Sequence, residues 1–113
     1  MEQEDALTID VSGTADDAIV RCKGRLISVA SGRFQHEIKR LLPRARSITV
    51  DLSEVSFMDS MGLGTIAALY VSATTRGCQL YLINLAPRVR QLFSVTHLLS
   101  LFEAGGESNV RIT

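Results

Sequence analysis

Hydrophobic and polar residues alternate near the start of the chain. Leu7, Ile9 and Val11 are separated by polar residues, and residues 18–23, closed by Gly24, predict a second strand. A period of two is typical of strands that bury one face. The intervening Ser-Gly-Thr at 12–14 favours a turn. The two strands are therefore expected to form an antiparallel pair at one side of a sheet.

The apolar spacing then changes to three or four residues, which is typical of a helix. A helix is predicted over residues 29–42, with Ser28 as its N-cap and Pro43 as its stop. Its apolar stripe consists of Phe34, Ile38, Leu41 and Leu42.

Strand and helix patterns continue to alternate along the rest of the chain. Ile48, Val50 and Leu52 predict a third strand that ends near Leu52. The remaining predicted elements are a helix over 61–75 ended by Arg76-Gly77, a buried strand over 80–83, a helix that begins at Pro87 and a short strand over 98–102.

The resulting order, β-β-α-β-α-β-α-β, predicts the α/β class. We expect a mixed sheet of four to five strands with helices packed mainly on one face. Residues 1–113 suffice for a single domain, of which residues 1–6 are expected to be a frayed acidic terminus.

The charge balance and the length of the apolar runs argue against nucleic-acid-binding and membrane-spanning proteins. Twelve acidic residues balance twelve basic ones, whereas a nucleic-acid-binding protein usually carries a basic excess. No signal-peptide pattern is present and the apolar runs are too short to span a membrane, so a cytoplasmic protein with no membrane insertion is expected. Cys22 and Cys78 are expected to be reduced and buried.

The segment that points to a function is Asp51-Leu-Ser-Glu-Val-Ser-Phe-Met-Asp-Ser-Met-Gly-Leu-Gly64. Phe57 and Met58 are expected to tuck under the sheet, which places Asp59 and Ser60 at the N-terminus of the next helix. Either Asp59 or Ser60 could cap that helix. A phosphate on Ser60 would also be favoured there, because the first turn has free N–H groups and a partial positive charge.

The predicted helix over 61–75 contains no charged residue. A core stripe is predicted at Leu63, Ile66, Ala67, Tyr70 and Thr74. The other face is expected to include Met61, Thr65, Ala68, Leu69 and Ser72. An uncharged outer face is typical of a protein-binding surface, although another helix of the same domain could instead cover it.

The run FMDSMGLG after a strand, followed by a helix, GCQLYLINLAP and RQLF, resembles the STAS domain of anti-sigma factor antagonists over about residues 7–103. The resemblance implies a non-enzymatic domain that binds a serine-kinase anti-sigma factor. It implies that the kinase phosphorylates Ser60 and that a phosphatase reverses the reaction. With the outer face of the helix, the expected partner-binding residues are Asp59, Ser60, Met61, Gly62, Leu63, Thr65, Ala68, Leu69 and Ser72.

Two features depart from that family pattern. Family antagonists often carry an acid in a G-x-L-D run before the first helix, and here Gly24-Arg25-Leu26 is followed by Ile27. Family members also usually end in a further helix, whereas residues 104–113 contain Gly105-Gly106 and have weak helical character.

Other interpretations stay open at this point. The chain could be a STAS subunit of a lipid-transport or stress-signalling complex. It could also be a nucleotide-binding module, since residues 62–67 match G-x-G-x-x-A, but the acid expected about twenty residues later is missing. No hydrolase triad or metal-ligand spacing is found in the sequence, so no catalytic residue, metal or other cofactor is expected.

Overall fold

The computed structural model describes residues 7–95 and the short strand at 110–111. Its elements are β1 (Leu7–Gly13), β2 (Asp17–Leu26), α1 (Ser28–Leu41), β3 (Ser47–Met58), α2 (Ser60–Thr75), β4 (Gln79–Ile83), α3 (Pro87–Val95) and β5 (Val110–Arg111). The predicted alternation of strands and helices is confirmed. The predicted strand over 98–102 and the predicted frayed terminus at 1–6 lie outside the described residues.

The five strands form one sheet in the order β1-β2-β3-β4-β5. β1 is antiparallel to β2, as predicted, and the other neighbours are parallel. The mixed α/β sheet with helices mainly on one face is thereby confirmed. β5 was not predicted, because residues 110 and 111 form too short a segment for any apolar period to be recognised.

The core lies between one face of the sheet and the helices. Val20, Val50 and Leu82 lie side by side in adjacent strands, and each is at most 1% exposed. Phe34 and Ile38 of α1 are also buried, as the apolar stripe predicted. α1 packs against α2, and α3 packs against β3. This layer holds the amino-terminal ends of α1 and α2 near each other.

β3 is six residues longer than predicted, because it ends at Met58 and not near Leu52. The parallel pairing with β2 continues through two register shifts, which accommodate a segment without regular apolar alternation. Met58 is buried, as expected, but Phe57 is 43% exposed. The prediction that Phe57 tucks under the sheet is therefore wrong.

The N-terminal cap of α1 differs from the prediction. Ile27, in extended conformation, is the N-cap of α1 and its side chain forms no capping hydrogen bond, while Ser28 is the first helical residue. The prediction that Ser28 caps α1 is therefore wrong. At the end of α2, Gly77 has a φ of +77°, which is the left-handed conformation that a terminating glycine supplies.

A buried carboxylate stabilises the junction of β2, β3 and β4. Asp51 is 8% exposed and accepts hydrogen bonds from the Ser53 amide at 2.9 Å and the Asn84 side chain at 3.4 Å. The Arg21 guanidinium lies 3.5 Å away. Burial alone raises the pKa of Asp51, but the hydrogen bonds from Ser53, Asn84 and Arg21 outweigh it and hold the pKa below its ordinary value.

The two cysteines are buried free thiols, as expected. Burial raises the pKa of Cys22 to about 12, and the nearby negative charge of Asp51 acts in the same direction. Burial likewise raises the pKa of Cys78. Both thiols therefore pack as small apolar groups at neutral pH.

Candidate functional site

The carboxylate of Asp59 joins the first turns of two helices. Its Oδ1 accepts a hydrogen bond from the Gly62 amide at 2.9 Å, which caps α2. Its Oδ2 accepts a hydrogen bond from the Ser28 amide at 3.1 Å, at the first residue of α1. Each helix end thus obtains a partner for an amide that has none within the helix, and a negative charge lies at both positive helix ends.

Adjacent parallel strands create this arrangement. Leu26, the last residue of β2, pairs with Met58, the last residue of β3, and each strand is followed directly by a helix. The Asp59 amide also donates to the Leu26 carbonyl at 3.3 Å. The two helix N-termini are therefore held together at the carboxyl end of the sheet.

Gly62 occupies a place that has no room for a side chain. An ideal Cβ there would lie 2.3 Å from the Leu26 carbonyl oxygen and about 3 Å from side-chain atoms of Leu26 and Met58. Gly64 has nothing within 4 Å of its ideal Cβ. The first glycine of the motif thus allows α2 to pack closely on the end of β2, while the second faces open space.

Ser60 is the first residue of α2 and is exposed. Its hydroxyl forms no hydrogen bond with any residue that the structure describes. Two nearby hydroxyls are occupied instead. Ser56 donates to the Gly24 carbonyl at 3.3 Å and Thr65 donates to the Met61 carbonyl at 2.8 Å. Ser53 is bonded to the Asp51 carboxylate through its backbone amide.

The outer face of α2 differs in part from its prediction. Met61 and Ala68 are exposed, and Thr65 and Ser72 are half-buried. Gly62, Leu63 and Leu69, however, are buried, with Leu69 only 1% exposed. Placing Leu69 on the outer face is therefore wrong, and Gly62 and Leu63 do not belong to an accessible surface.

The phase of the buried stripe explains these errors. The inward residues are Gly62, Leu63, Ile66, Leu69 and Ala73. Thr74, predicted as core, is exposed, whereas the exposed Val71 was missed. Because α2 has no charged side chain to mark the solvent side, the apolar pattern fits several rotations of the helix equally well. Among the described elements no second helix covers Met61, Ala68 or Val71, which stay exposed.

Among the described residues, no group of three or more histidine, cysteine, aspartate or glutamate side chains could hold a metal ion. Within the same part of the chain, no helix has both the length and the apolar character needed to cross a membrane.

The geometry can now be compared with known proteins. The family model described as "STAS domain" matches residues 8–111. The chain belongs to the STAS domain family. A curated relative of this STAS domain, the anti-sigma-B factor antagonist of Bacillus subtilis, is 26% identical over 102 residues, which cover 90% of this chain and 94% of the relative.

Two solved structures share the fold of this STAS domain. The anti-sigma factor antagonist SpoIIAA in its unphosphorylated form has a TM-score of 0.72 and 22% identity, covering 80% of this chain and 82% of that one. The Bacillus cell fate determinant SpoIIAA in the phosphorylated form has a TM-score of 0.68 and 21% identity, and the match covers 80% of this chain and 85% of that chain. At this identity the likeness shows the fold alone.

Proposed function

We propose that this STAS domain is an anti-sigma factor antagonist that binds a serine-kinase anti-sigma factor and is switched by reversible phosphorylation of Ser60. The observation that carries the proposal is the exposed hydroxyl of Ser60 at the start of α2, which has no hydrogen bond to residues 7–95 and lies beside an uncharged exposed face. The name of the curated relative supports the same role. The domain then acts by binding in the cytoplasm and needs no catalytic residue, cofactor or metal of its own.

Ser60 is a better phosphate acceptor than its neighbours. The hydroxyls of Ser56 and Thr65 are each held by a hydrogen bond within the domain, and the backbone amide of Ser53 is bonded to the Asp51 carboxylate. Thr65 also lies inside α2, where the chain cannot extend into a kinase active site without unwinding the helix. Ser60 has neither constraint, because it is the exposed first residue of α2 and its hydroxyl has no partner among the described residues.

The folded domain can accept a phosphate at Ser60. The first intrahelical hydrogen bond runs from the Leu63 amide to the Asp59 carbonyl at 3.0 Å, and the Gly62 amide bonds to the Asp59 side chain. The amides of Ser60 and Met61 precede these bonds, so the helix end retains donors and a partial positive charge for an anion. Phosphorylation is therefore expected to leave the domain folded.

The same phosphate would weaken a complex formed at this end of α2. It adds about −1.5 to −2 charges beside the carboxylate of Asp59. A partner that covers Ser60 and the exposed residues Met61 and Ala68 would have to desolvate both anions. The switch thus operates by repulsion and desolvation at the interface. A phosphatase that removes the group restores binding.

Phosphopeptide mapping tests the assignment. The purified chain is incubated with ATP and each serine-kinase anti-sigma factor of the same genome, and Ser60→Ala and Ser53→Ala variants serve as a matched pair. Phosphate on Ser60 in wild type and in Ser53→Ala, with none in Ser60→Ala, supports the proposal. Phosphate that persists in Ser60→Ala, or a chain that no kinase modifies, contradicts it.

A further inference from the structure

An open groove of about 270 Å³ lies between the end of β3 and α3. Its lining residues are Phe57, Met58, Arg88, Gln91, Leu92 and Val95. Four of these six residues have apolar side chains, and Arg88 is the one charged residue among them. The partner-binding surface predicted from the sequence contains none of the six, because they come from a strand end and a helix that are thirty residues apart in the chain.

The groove lies at the end of β3 that leads to Ser60, since Phe57 and Met58 line it and α2 begins two residues after Met58. The large hydrophobic side chains that are exposed in the described residues number six, and four of them belong to the groove or to the first turns of α1 and α2. They are Val29, Phe57, Met61 and Val95, with exposed fractions of 63%, 43%, 57% and 65%. Val29 follows the residue that bonds to Asp59, and Met61 follows Ser60. Exposed apolar residues that gather in one place indicate an interaction surface.

Charge makes the groove selective. The sequence has no acidic residue between Asp59 and Glu103, and the three charged residues in that interval are all arginines. Arg88 is exposed and forms no ion pair with any residue between 7 and 95. An apolar groove whose guanidinium has no ion pair with residues 7–95 is complementary to an apolar side chain that has a carboxylate beside it.

We propose that this groove is a second docking point for the kinase partner, which inserts an aliphatic or aromatic side chain there and pairs a neighbouring carboxylate with Arg88. The inference rests on the proposed function and names the chemistry of the partner's contact. A kinase that acts on Ser60 needs contacts that hold the domain without occupying the reacting hydroxyl. The groove provides them, since Phe57 and Met58 directly precede Asp59-Ser60 in the chain.

Two charge reversals on α3 form a matched test. Arg88→Glu places an acid in the groove, whereas Arg90→Glu makes the same change at an exposed position outside the lining. Calorimetric titration against the serine-kinase anti-sigma factor of the same genome, loaded with a non-hydrolysable ATP analogue, measures affinity. Arg88→Glu is expected to weaken binding about tenfold or more, and Arg90→Glu less than about threefold. Phe57→Ser removes an exposed aromatic side chain from the groove lining. It is expected to weaken kinase binding with little change in melting temperature.

Catalytic readouts separate docking from chemistry. With ATP, Arg88→Glu is expected to raise the KM of the kinase for the domain while leaving kcat nearly unchanged, because Ser60 is untouched. If Arg88→Glu and Phe57→Ser bind the kinase like wild type, the groove inference is overturned and the proposed function stands. If no kinase binds wild type, both fail.

Other occupants of the groove give different results. Light scattering that shows wild-type dimers and monomeric Arg88→Glu would assign the groove to a second copy of the chain and overturn the inference. A large loss of melting temperature in Phe57→Ser, with kinase affinity unchanged, would show that the chain itself covers the groove and would also overturn it.

Discussion

The Oδ2 atom of Asp59 lies 3.1 Å from the amide nitrogen of Ser28, a residue 31 positions earlier in the chain. The same carboxylate binds the Gly62 amide through Oδ1. One side chain therefore fixes the start of α1 relative to the start of α2. Because Ile27 offers α1 no side-chain cap, this contact supplies what the N-cap residue lacks.

Removing this carboxylate is expected to destabilise the domain. Asp59→Ala should lower the free energy of unfolding by about 1–3 kcal/mol, because two amides lose a charged acceptor. Asp59→Asn is the matched control. Its single amide oxygen can cap α2 but cannot also serve Ser28, so an intermediate loss is expected. Urea unfolding of the three proteins measures the series, and equal stability of Asp59→Ala and wild type would contradict the role.

The two glycines of the motif are expected to respond in opposite directions to alanine. Gly62→Ala should cost about 1–3 kcal/mol, since its Cβ meets the Leu26 carbonyl oxygen. Gly64→Ala should stabilise the domain by about 0.5–1 kcal/mol, because its Cβ meets nothing within 4 Å and the position is helical. Thermal melting of the pair checks this, and a stabilising Gly62→Ala would rule out the close approach.

The burial of Leu69 predicts a difference between two positions one residue apart in α2. Leu69→Glu is expected to unfold most of the protein, because it puts an unpaired charge into the core. Ala68→Glu is expected to keep the fold and to weaken kinase binding, since Ala68 is exposed. Circular dichroism measures the folding of both variants and titration measures the binding of Ala68→Glu. A folded Leu69→Glu would show that the phase of α2 is different.

Acidic pH is expected to remove the contribution of Asp51 to the free energy of unfolding. Its folded-state pKa lies below the ordinary value of about 3.9, so its stabilising effect is complete above that value and is lost as pH falls through the folded-state pKa. Wild type should therefore exceed Asp51→Asn in unfolding free energy at pH 7. The difference should shrink in urea titrations at about pH 3. A gap that stays constant with pH would argue against a charged Asp51.

Most of the fold could be predicted because strand and helix periods are local. The stripe of α1 and the alternation in β1 appear directly in the residues. The extension of β3 to Met58 could not be predicted, since its pairing depends on register shifts in the neighbouring strand. The role of Asp59 as a bridge also escaped prediction, because the contact with Ser28 is set by the sheet and not by spacing in the sequence.

The motif predicted Ser60 as a candidate phosphate acceptor at the start of a helix, and Ser60 is the exposed first residue of α2, but its surroundings were not predicted. Leu69 was assigned to the wrong face because an uncharged helix gives no polar side from which to set the phase. The groove beside Arg88 was missed because β3 and α3 contribute to it from distant parts of the sequence. A local pattern can point to a single candidate residue, whereas a surface built by several elements can be recognised only from the way those elements pack.

The most direct test of the account compares the kinase affinity of the unphosphorylated domain with that of the domain phosphorylated on Ser60. Both forms are titrated into the same nucleotide-loaded serine-kinase anti-sigma factor, and thermal melting verifies that both are folded. We expect the phosphorylated form to bind at least about tenfold more weakly while remaining folded. Equal affinity of the two folded forms would contradict the proposed switch.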